Sequence, residues 1–190
     1  MAWPNNLQVA LKEWASVCGA LSRGRQIILL RKGGIYESAG EFEIEHRQFL
    51  LFPTYLHQNT AMLKIDERAG LTKLASEPAK IELSLAGAIT DIVPMTSRAA
   101  MNALDDEHIW TSSLIDMRFN YRPENPLYLL LVRAYRLRQA ITIDNTPAYA
   151  GCKSWVPLER AVATADAAAV LDDAEYAERR DAILRRVAAT

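Results

Sequence analysis

Apolar residues along the chain follow two different spacings, and each spacing predicts a different kind of element. Over residues 7–21 they recur every three to four positions, which predicts an amphipathic N-terminal helix. Residues 26–30 are a short Ile/Leu-rich run before a Gly-Gly pair, which predicts a buried strand. Alternation over residues 41–52 predicts a second strand. Thr54 is then placed to cap a helix over residues 55–68.

The middle of the chain begins with a long alternating segment. Residues 80–93 carry apolar side chains at every second position and a glycine at position 87, which predicts a half-buried strand that bends there. Thr96 or Ser97 is placed to cap a short helix that follows this strand. Residues 105–115 predict a further helix.

The last third of the chain predicts a hairpin and a terminal helix. Residues 116–121 and 127–137 have strand composition and are joined by a turn with two prolines, which predicts paired strands. Asp172 and Glu175 have the spacing of a capping box, which predicts a C-terminal helix that ends near residue 187.

Together these elements predict an α+β protein, with a mixed or antiparallel sheet packed against N-terminal and C-terminal helices. The pattern leaves open whether the sheet stays open or curls toward a barrel. We expect residues 1–158 to form a single core domain and residues 159–190 to form a helical extension packed on it. The chain has 190 residues, of which 50% are hydrophobic, and this suits one domain with a full core.

Overall charge and cysteine content exclude several classes of protein. The net charge is −1, so affinity for a polyanion requires a local basic patch. Two cysteines do not form a disulfide framework, and we therefore expect a reducing, cytoplasmic setting. The longest apolar run, residues 127–132, is too short to span a bilayer, so no membrane association is expected. No pattern in the sequence determines the oligomeric state.

Two of the three histidines lie close together in sequence with cationic and acidic residues, which makes this region a candidate catalytic site. His46 is either a general base or a buried histidine that is hydrogen-bonded in the core. His57 follows a Pro-Thr-Tyr turn and is the second candidate base, while Lys32 is a candidate contact for phosphate. Glu43 and Glu45 are candidate ligands for Mg²⁺, provided that another segment supplies further oxygens.

A second candidate site is basic and aromatic. Residues 118–138 contain five arginines and one acidic residue, together with tyrosine and phenylalanine. Such a surface offers charge for phosphates and rings for base stacking. The alternative is that these arginines pair with nearby acidic residues. The candidate nucleic-acid contacts are Arg133, Arg136, Lys153, Tyr135 and Trp155.

Several segments together resemble one bacterial family, the domain of unknown function 1802. The matching segments are residues 10–14 (ALKEW), 28–34 (ILLRKGG), 42–58 and 151–155 (GCKSW). The family brings no established activity. Because it accompanies restriction-endonuclease-type domains, the resemblance implies a nucleic-acid context and a possible role beside restriction–modification systems. It also implies a restriction-type protein as a partner.

These observations favour a cytoplasmic protein that binds nucleic acid or is accessory to a restriction-type system. One alternative is a metal-assisted phosphodiesterase or nuclease that uses the 41–57 segment and Mg²⁺. Restriction-type nucleases hold magnesium with an acidic residue on one strand and a Glu-x-Lys pair on the next. The sequence has no clean version of this pattern, which argues against nuclease activity. The other alternative is a non-catalytic interaction module whose C-terminal helix docks a partner through Tyr176, Ile183, Leu184 and Val187.

Overall fold

The chain folds as a mixed α+β structure, which confirms the predicted class. The computed structural model describes residues 3–32, 37–38, 41–42, 45–56, 58–69, 71, 74–151 and 153–190. In these ranges there are four α-helices, one seven-stranded sheet and one two-stranded sheet.

The described residues form nine strands and four helices. The strands are β1 (Asn6–Trp14), β2 (Ile28–Lys32), β3 (Glu37–Ser38), β4 (Glu41–Phe42), β5 (Gln48–Thr54), β6 (Lys80–Met95), β7 (Leu127–Asp144), β8 (Trp155–Ala163) and β9 (Ala168–Ala169). The helices are α1 (Ala15–Ser22), α2 (Arg98–Asn102), α3 (Ser112–Asn120) and α4 (Asp173–Ala188). Strands β3 and β4 form the separate two-stranded sheet.

The main sheet is mostly antiparallel and strongly curled. Its strand order is β2-β7-β6-β5-β1-β8, with β9 beside β7, and only β1 and β5 of the described pairs run parallel. In a flat sheet, β2 and β1 would lie about 19 Å apart, four strand spacings. Arg31 on β2 nevertheless donates a hydrogen bond to the Lys12 carbonyl on β1 at 2.9 Å. The sheet therefore curls, although its described end strands do not pair to close a barrel.

The sheet buries apolar side chains on both faces. Successive residues of β1 and β5 alternate between two hydrophobic cores, as strand geometry requires. The larger core contains Leu11, Phe49 and Leu51 and is covered by all four helices. The smaller core contains Ala10, Leu50 and Phe52, which pack with Tyr149, Val156 and Leu158.

The prediction of a single helix over residues 7–21 is wrong in its first half. Residues 6–14 form β1, which pairs with β5 and β8, and α1 begins only at Ala15. A strand that is buried on both faces places apolar residues at neighbouring positions, so its pattern over this short stretch imitates helical spacing. Cys18 on α1 is buried in the larger core, as expected.

Two predictions around residue 54 are also wrong. The single strand over residues 41–52 is divided, because β4 ends at residue 42, residues 45–47 are not in a strand, and β5 begins at residue 48. Strand β5 continues through Thr54, whose hydroxyl donates to the Glu13 carbonyl at 3.1 Å instead of capping a helix. Two short 3-10 turns follow, at Thr60–Met62 and Ile65–Glu67.

The predicted hairpin before β7 does not form. Residues 112–120 are helix α3. Of the predicted helix over residues 105–115, only residues 112–115 are α-helical, and Asp105–Glu107 form a 3-10 turn. Leu114 and Ile115 of α3 are buried in the larger core, and that burial favours the helix. Strand β7 instead pairs with β6 over almost its whole length.

Three local predictions are confirmed. The predicted strand over residues 80–93 is present within β6, although its two register shifts lie between Leu83 and Leu85 and between Ile89 and Asp91 and not at Gly87. Ser97 caps α2 by accepting a hydrogen bond from the Ala100 N–H at 3.1 Å. Asp172 and Glu175 form the predicted capping box at the start of α4.

Helix α4 packs on the protein's own core. Tyr176 and Ile183 are buried there, and Leu184 and Val187 pack against the same core. The helix face that the interaction-module hypothesis assigns to a partner is therefore occupied. Strand β8 continues past residue 158 to Ala163, and the division of the chain at that residue stays a prediction. None of the described helices is long and apolar enough to cross a membrane.

Candidate functional site

A cleft of about 800 Å³ lies at the carboxyl ends of the parallel strands β1 and β5. We call it the cationic cleft. Its lining residues are Lys12, Glu13 and Trp14 of β1, Arg31 of β2, Phe52 and Thr54 of β5, Leu56, Glu77, Arg118 of α3, and residues from the 145–154 loop, among them Tyr149, Gly151 and Lys153.

A buried ion pair lies at the base of this cleft. Arg31 Nη2 is 2.9 Å from Glu13 Oε2, and the two side chains are only 13% and 9% exposed. The other carboxylate oxygen of Glu13 accepts a hydrogen bond from the Trp14 N–H at 2.8 Å. Arg31 Nη2 also donates to the Lys12 carbonyl. The Nε atom of Arg31 is buried and has no acceptor among the described residues.

Arg118 supplies a second guanidinium group to the lining of the same cleft. Burial lowers the pKa of Arg118, while the nearby Glu13 raises that pKa and Arg31 lowers it. The Nε atom of Arg118 is buried, and no described residue accepts a hydrogen bond from it. Arg31 and Arg118 bring two positive charges to the cleft and Glu13 brings one negative charge, which leaves a surplus of positive charge in a partly buried region.

Lys12 fixes the opposite wall of the cleft. Its Nζ atom donates to the carbonyl oxygens of Tyr149 and Gly151, and its backbone N–H donates to the Ser154 carbonyl at 2.9 Å. These bonds tie the 145–154 loop to β1. Because Lys153 lies in that loop and is exposed, Lys12 also sets where this second lysine stands at the rim.

Glu77 stabilises the chain that leaves β5 along the rim of the cleft. Its carboxylate accepts hydrogen bonds from the N–H groups of Tyr55 at 3.0 Å and Leu56 at 2.9 Å. The cleft therefore has four cationic side chains, on Lys12, Arg31, Arg118 and Lys153, against the two carboxylates of Glu13 and Glu77. The surplus of two positive charges favours an anionic ligand.

Aromatic residues also border the cleft. Phe52 and Tyr149 pack edge to face with ring centroids 5.9 Å apart, and both are almost fully buried. Trp14 is half-buried and is the aromatic side chain that is best placed to contact a ligand.

His46 lies away from the cationic cleft, in a shallow groove of about 500 Å³. Its side chain is 35% exposed, so it is not a buried core histidine. Its Nε2 atom is 3.3 Å from the Glu45 carboxylate, and its ring meets Trp155 edge to face at 5.3 Å. The Nε1 atom of Trp155 is buried without a described acceptor.

Of the other described candidates, Glu45 lies beside His46, whereas Lys32 does not line the groove that contains His46. Lys32 donates its Nζ hydrogen bond to the Phe119 carbonyl at 2.7 Å. The predictions for Glu43, His57 and Cys152 concern residues outside the described ranges. Among the residues that are described, no group of three or more His, Cys, Asp or Glu could hold a metal ion. The catalytic and Mg²⁺ assignments therefore stay predictions.

The five candidate nucleic-acid contacts are spread over separate surfaces. Arg133 pairs with Asp173, and its guanidinium lies 5.6 Å from the ring centroid of Tyr135. Tyr135 in turn stacks on Trp3 at 3.9 Å. These contacts agree with the alternative that some of the arginines are structural.

Arg136 is exposed and donates to the Ser22 carbonyl at 2.6 Å. Trp155 belongs to the groove beside His46. Of the five candidates, only Lys153 lines the cationic cleft. Their role in binding nucleic acid stays a prediction.

The sequence interpretation did not name Glu13 as a ligand contact, and it included Arg118 only among the five arginines of residues 118–138. A signal was present in the four segments that carry the family resemblance. Residues 10–14, 28–34, 42–58 and 151–155 each supply side chains to the cleft. The segments are far apart in sequence, and only the fold brings them together.

Residues 10–182 match the family described as domain of unknown function (DUF1802), and the chain belongs to that family. The comparison with curated proteins gave no match. Two solved structures are similar in shape, both of mutant ZmASCH proteins from Zymomonas mobilis. One is 11% identical with a TM-score of 0.43, covering 95% of this chain and 99% of that one. The other is 11% identical with a TM-score of 0.40, covering 92% and 96%.

Proposed function

We propose that the protein binds nucleic acid through the cationic cleft, with a phosphate group held by Arg31 and Arg118. The observation that carries this proposal is the arrangement of their two buried Nε atoms. Both lack an acceptor among the described residues, and both arginines line the cleft that also contains the Glu13 carboxylate. Restriction-type partner proteins stay an expectation from the family resemblance.

Phosphate is the ligand group that best completes this arrangement. A guanidinium group presents five N–H donors in a planar fork that matches phosphate oxygens, and charge-assisted bonds of this type are strong. Burying a charged guanidinium group costs free energy, and an anion bound in the cleft beside it would offset part of that cost. The lowered pKa of Arg118 has the same cause, because burial penalises its charged form.

The other cleft residues have separate roles in this proposal. Exposed Lys153 attracts the backbone of a strand at the rim, and Lys12 holds the loop that carries it. Trp14 supplies a ring against which a base can stack. Glu13 keeps Arg31 in place. In this proposal the main phosphate contacts are Arg31 and Arg118 in the cleft at the carboxyl ends of β1 and β5. They replace Arg133 and Arg136 in the middle of β7.

The test is the salt dependence of binding to a labelled single-stranded oligonucleotide, measured by fluorescence anisotropy. For single strands, each lost phosphate contact reduces the slope of log affinity against log salt by about 0.7. We expect Lys153→Ala and Arg118→Met each to reduce the slope by about this amount.

Arg138→Met is the matched control for Arg118→Met. Arg138 is 80% exposed, lies 3.7 Å from Asp166 and does not line the cleft. We expect this variant to keep the wild-type slope. Equal slopes for wild type and both cleft variants, or a reduced slope only in Arg138→Met, would refute the assignment of the cleft.

A further inference from the structure

We infer that the cationic cleft selects a terminal phosphate, a phosphomonoester, over the phosphodiesters inside a strand. The ligand class is thus the phosphorylated end of a nucleic acid or a free mononucleotide. This inference rests on the proposed function, because it concerns the ligand of the same site.

The first argument is the depth of the two arginines. The Arg31 side chain is 13% exposed, and the Nε atoms of both Arg31 and Arg118 are buried. An internal phosphodiester carries a nucleoside on each side, so both nucleosides would have to enter the cleft with it. A phosphomonoester carries one substituent, on one of its four oxygens. Its other three oxygens can therefore approach a guanidinium group deep in the cleft.

The second argument is charge. The cleft has a surplus of two positive charges, counted over its four cationic side chains and two carboxylates. A phosphomonoester carries about −1.5 to −2 at neutral pH, and this nearly neutralises the surplus. A phosphodiester carries a single negative charge and would leave about half of the surplus uncompensated where screening by water is weak.

The third argument is size. A volume of about 800 Å³ lies within the range of about 300 to 1,000 Å³ that is usual for small-molecule sites. That volume holds one nucleotide with its phosphate at the arginines. Leu56, which is 43% exposed, and Trp14 then offer apolar surface to the sugar and base.

The experiment compares four labelled single-stranded probes of one sequence against the wild-type full-length chain. The probes carry a 5′ phosphate, a 3′ phosphate or hydroxyl groups at both ends, or are closed into a circle. We expect at least one phosphorylated probe to bind at least tenfold more tightly than the hydroxyl-ended and circular probes. Thymidine monophosphate should compete for the site, and thymidine should not.

Variants separate end selection from general affinity. Arg118→Met should reduce the preference for the phosphorylated probe to less than about twofold, since it removes a buried donor. Lys153→Ala should weaken binding of all probes by a similar factor, because a rim lysine acts on any phosphate. Arg138→Met should leave both quantities unchanged.

The outcomes distinguish the two proposals. Equal binding of circular and phosphorylated probes, weakened by Arg118→Met, would overturn end selection and leave nucleic-acid binding by the cleft intact. Binding of the mononucleotide without binding of any oligonucleotide would refute the proposed function and support recognition of a terminal phosphate. The phosphorylated probe could also bind tightly while Arg118→Met keeps the preference for it over the hydroxyl-ended probe. That result would overturn the role of the cleft in end selection.

Discussion

Arg31 and Arg118 both line the cationic cleft, but they contribute differently to folding. Arg31 is paired with Glu13 and donates to a backbone carbonyl, so its charge is compensated. Arg118 has a buried Nε atom without a described acceptor and a pKa lowered by burial. A group that is costly to the folded state and placed in a cleft is typical of a residue that serves a ligand.

This difference predicts opposite effects of the same substitution. Arg118→Met replaces a desolvated cation by an apolar side chain of similar length, so the free energy of unfolding should stay equal or rise by about 1 kcal/mol. Arg31→Met leaves the buried Glu13 carboxylate without its partner and should lower that free energy by about 3 kcal/mol. Urea denaturation midpoints measure both effects.

The double variant Glu13→Gln/Arg31→Met is the control for this contrast. Removing both charges should restore much of the stability that Arg31→Met loses, because no unpaired carboxylate remains. Destabilisation by Arg118→Met of more than about 1 kcal/mol would contradict the view that this residue serves the ligand rather than the fold.

His108 predicts a specific sensitivity to acid. It is 1% exposed, and burial lowers its pKa from the ordinary 6.5 to about 4. The unfolded chain therefore takes up a proton that the folded chain does not. The contribution of His108 to the free energy of unfolding is fully present above about pH 6.5. It falls by about 3 kcal/mol as the pH drops toward 4.

The variant His108→Asn tests this expectation. Its side-chain oxygen replaces Nδ1 as the acceptor for the Trp110 N–H, which lies 3.3 Å from that nitrogen. The variant should lose less stability than wild type when urea denaturation is repeated from neutral pH down to about pH 4.5. Parallel curves for the two proteins would show that His108 does not cause the acid sensitivity.

At the level of elements, local signals predicted those features that depend on few long-range contacts. The capping box of α4, the Ser97 cap of α2 and the strand within β6 were all predicted from sequence. Strand β1 was taken for a helix because neighbouring positions face both cores. Helix α3 was missed because its burial against the larger core depends on tertiary packing.

The docking of α4 gives a prediction for that element. Ile183 is fully buried in the larger core, whereas Glu178 on the same helix is exposed. Ile183→Ala should lower the free energy of unfolding by about 3 kcal/mol through lost burial and a residual cavity. Glu178→Ala should change it by less than about 0.5 kcal/mol. Similar losses from both variants in urea denaturation would argue against the packing of this helix.

For the whole molecule, the curl of the sheet creates the site. It brings Arg31 of β2 to Glu13 of β1, although three strands separate these two in the sheet order. Composition alone shows a net charge of −1 and hides this local surplus of positive charge. Lys153 was predicted as a nucleic-acid contact from its sequence context, and the structure shows that it lines the cleft. The Arg31–Arg118 arrangement was not, because strand order and curvature are decided by long-range pairing.

The measurement that addresses the cleft most directly is an NMR titration of arginine side chains. Arg31, Arg118 and Arg133 all have buried Nε atoms without a described acceptor, and only the first two line the cleft. In the ¹⁵N-labelled protein, a 5′-phosphorylated oligonucleotide should shift the Nε–Hε signals of Arg31 and Arg118 and leave that of Arg133 unchanged. Binding of the oligonucleotide with the Arg31 and Arg118 signals unmoved would contradict phosphate recognition in this cleft.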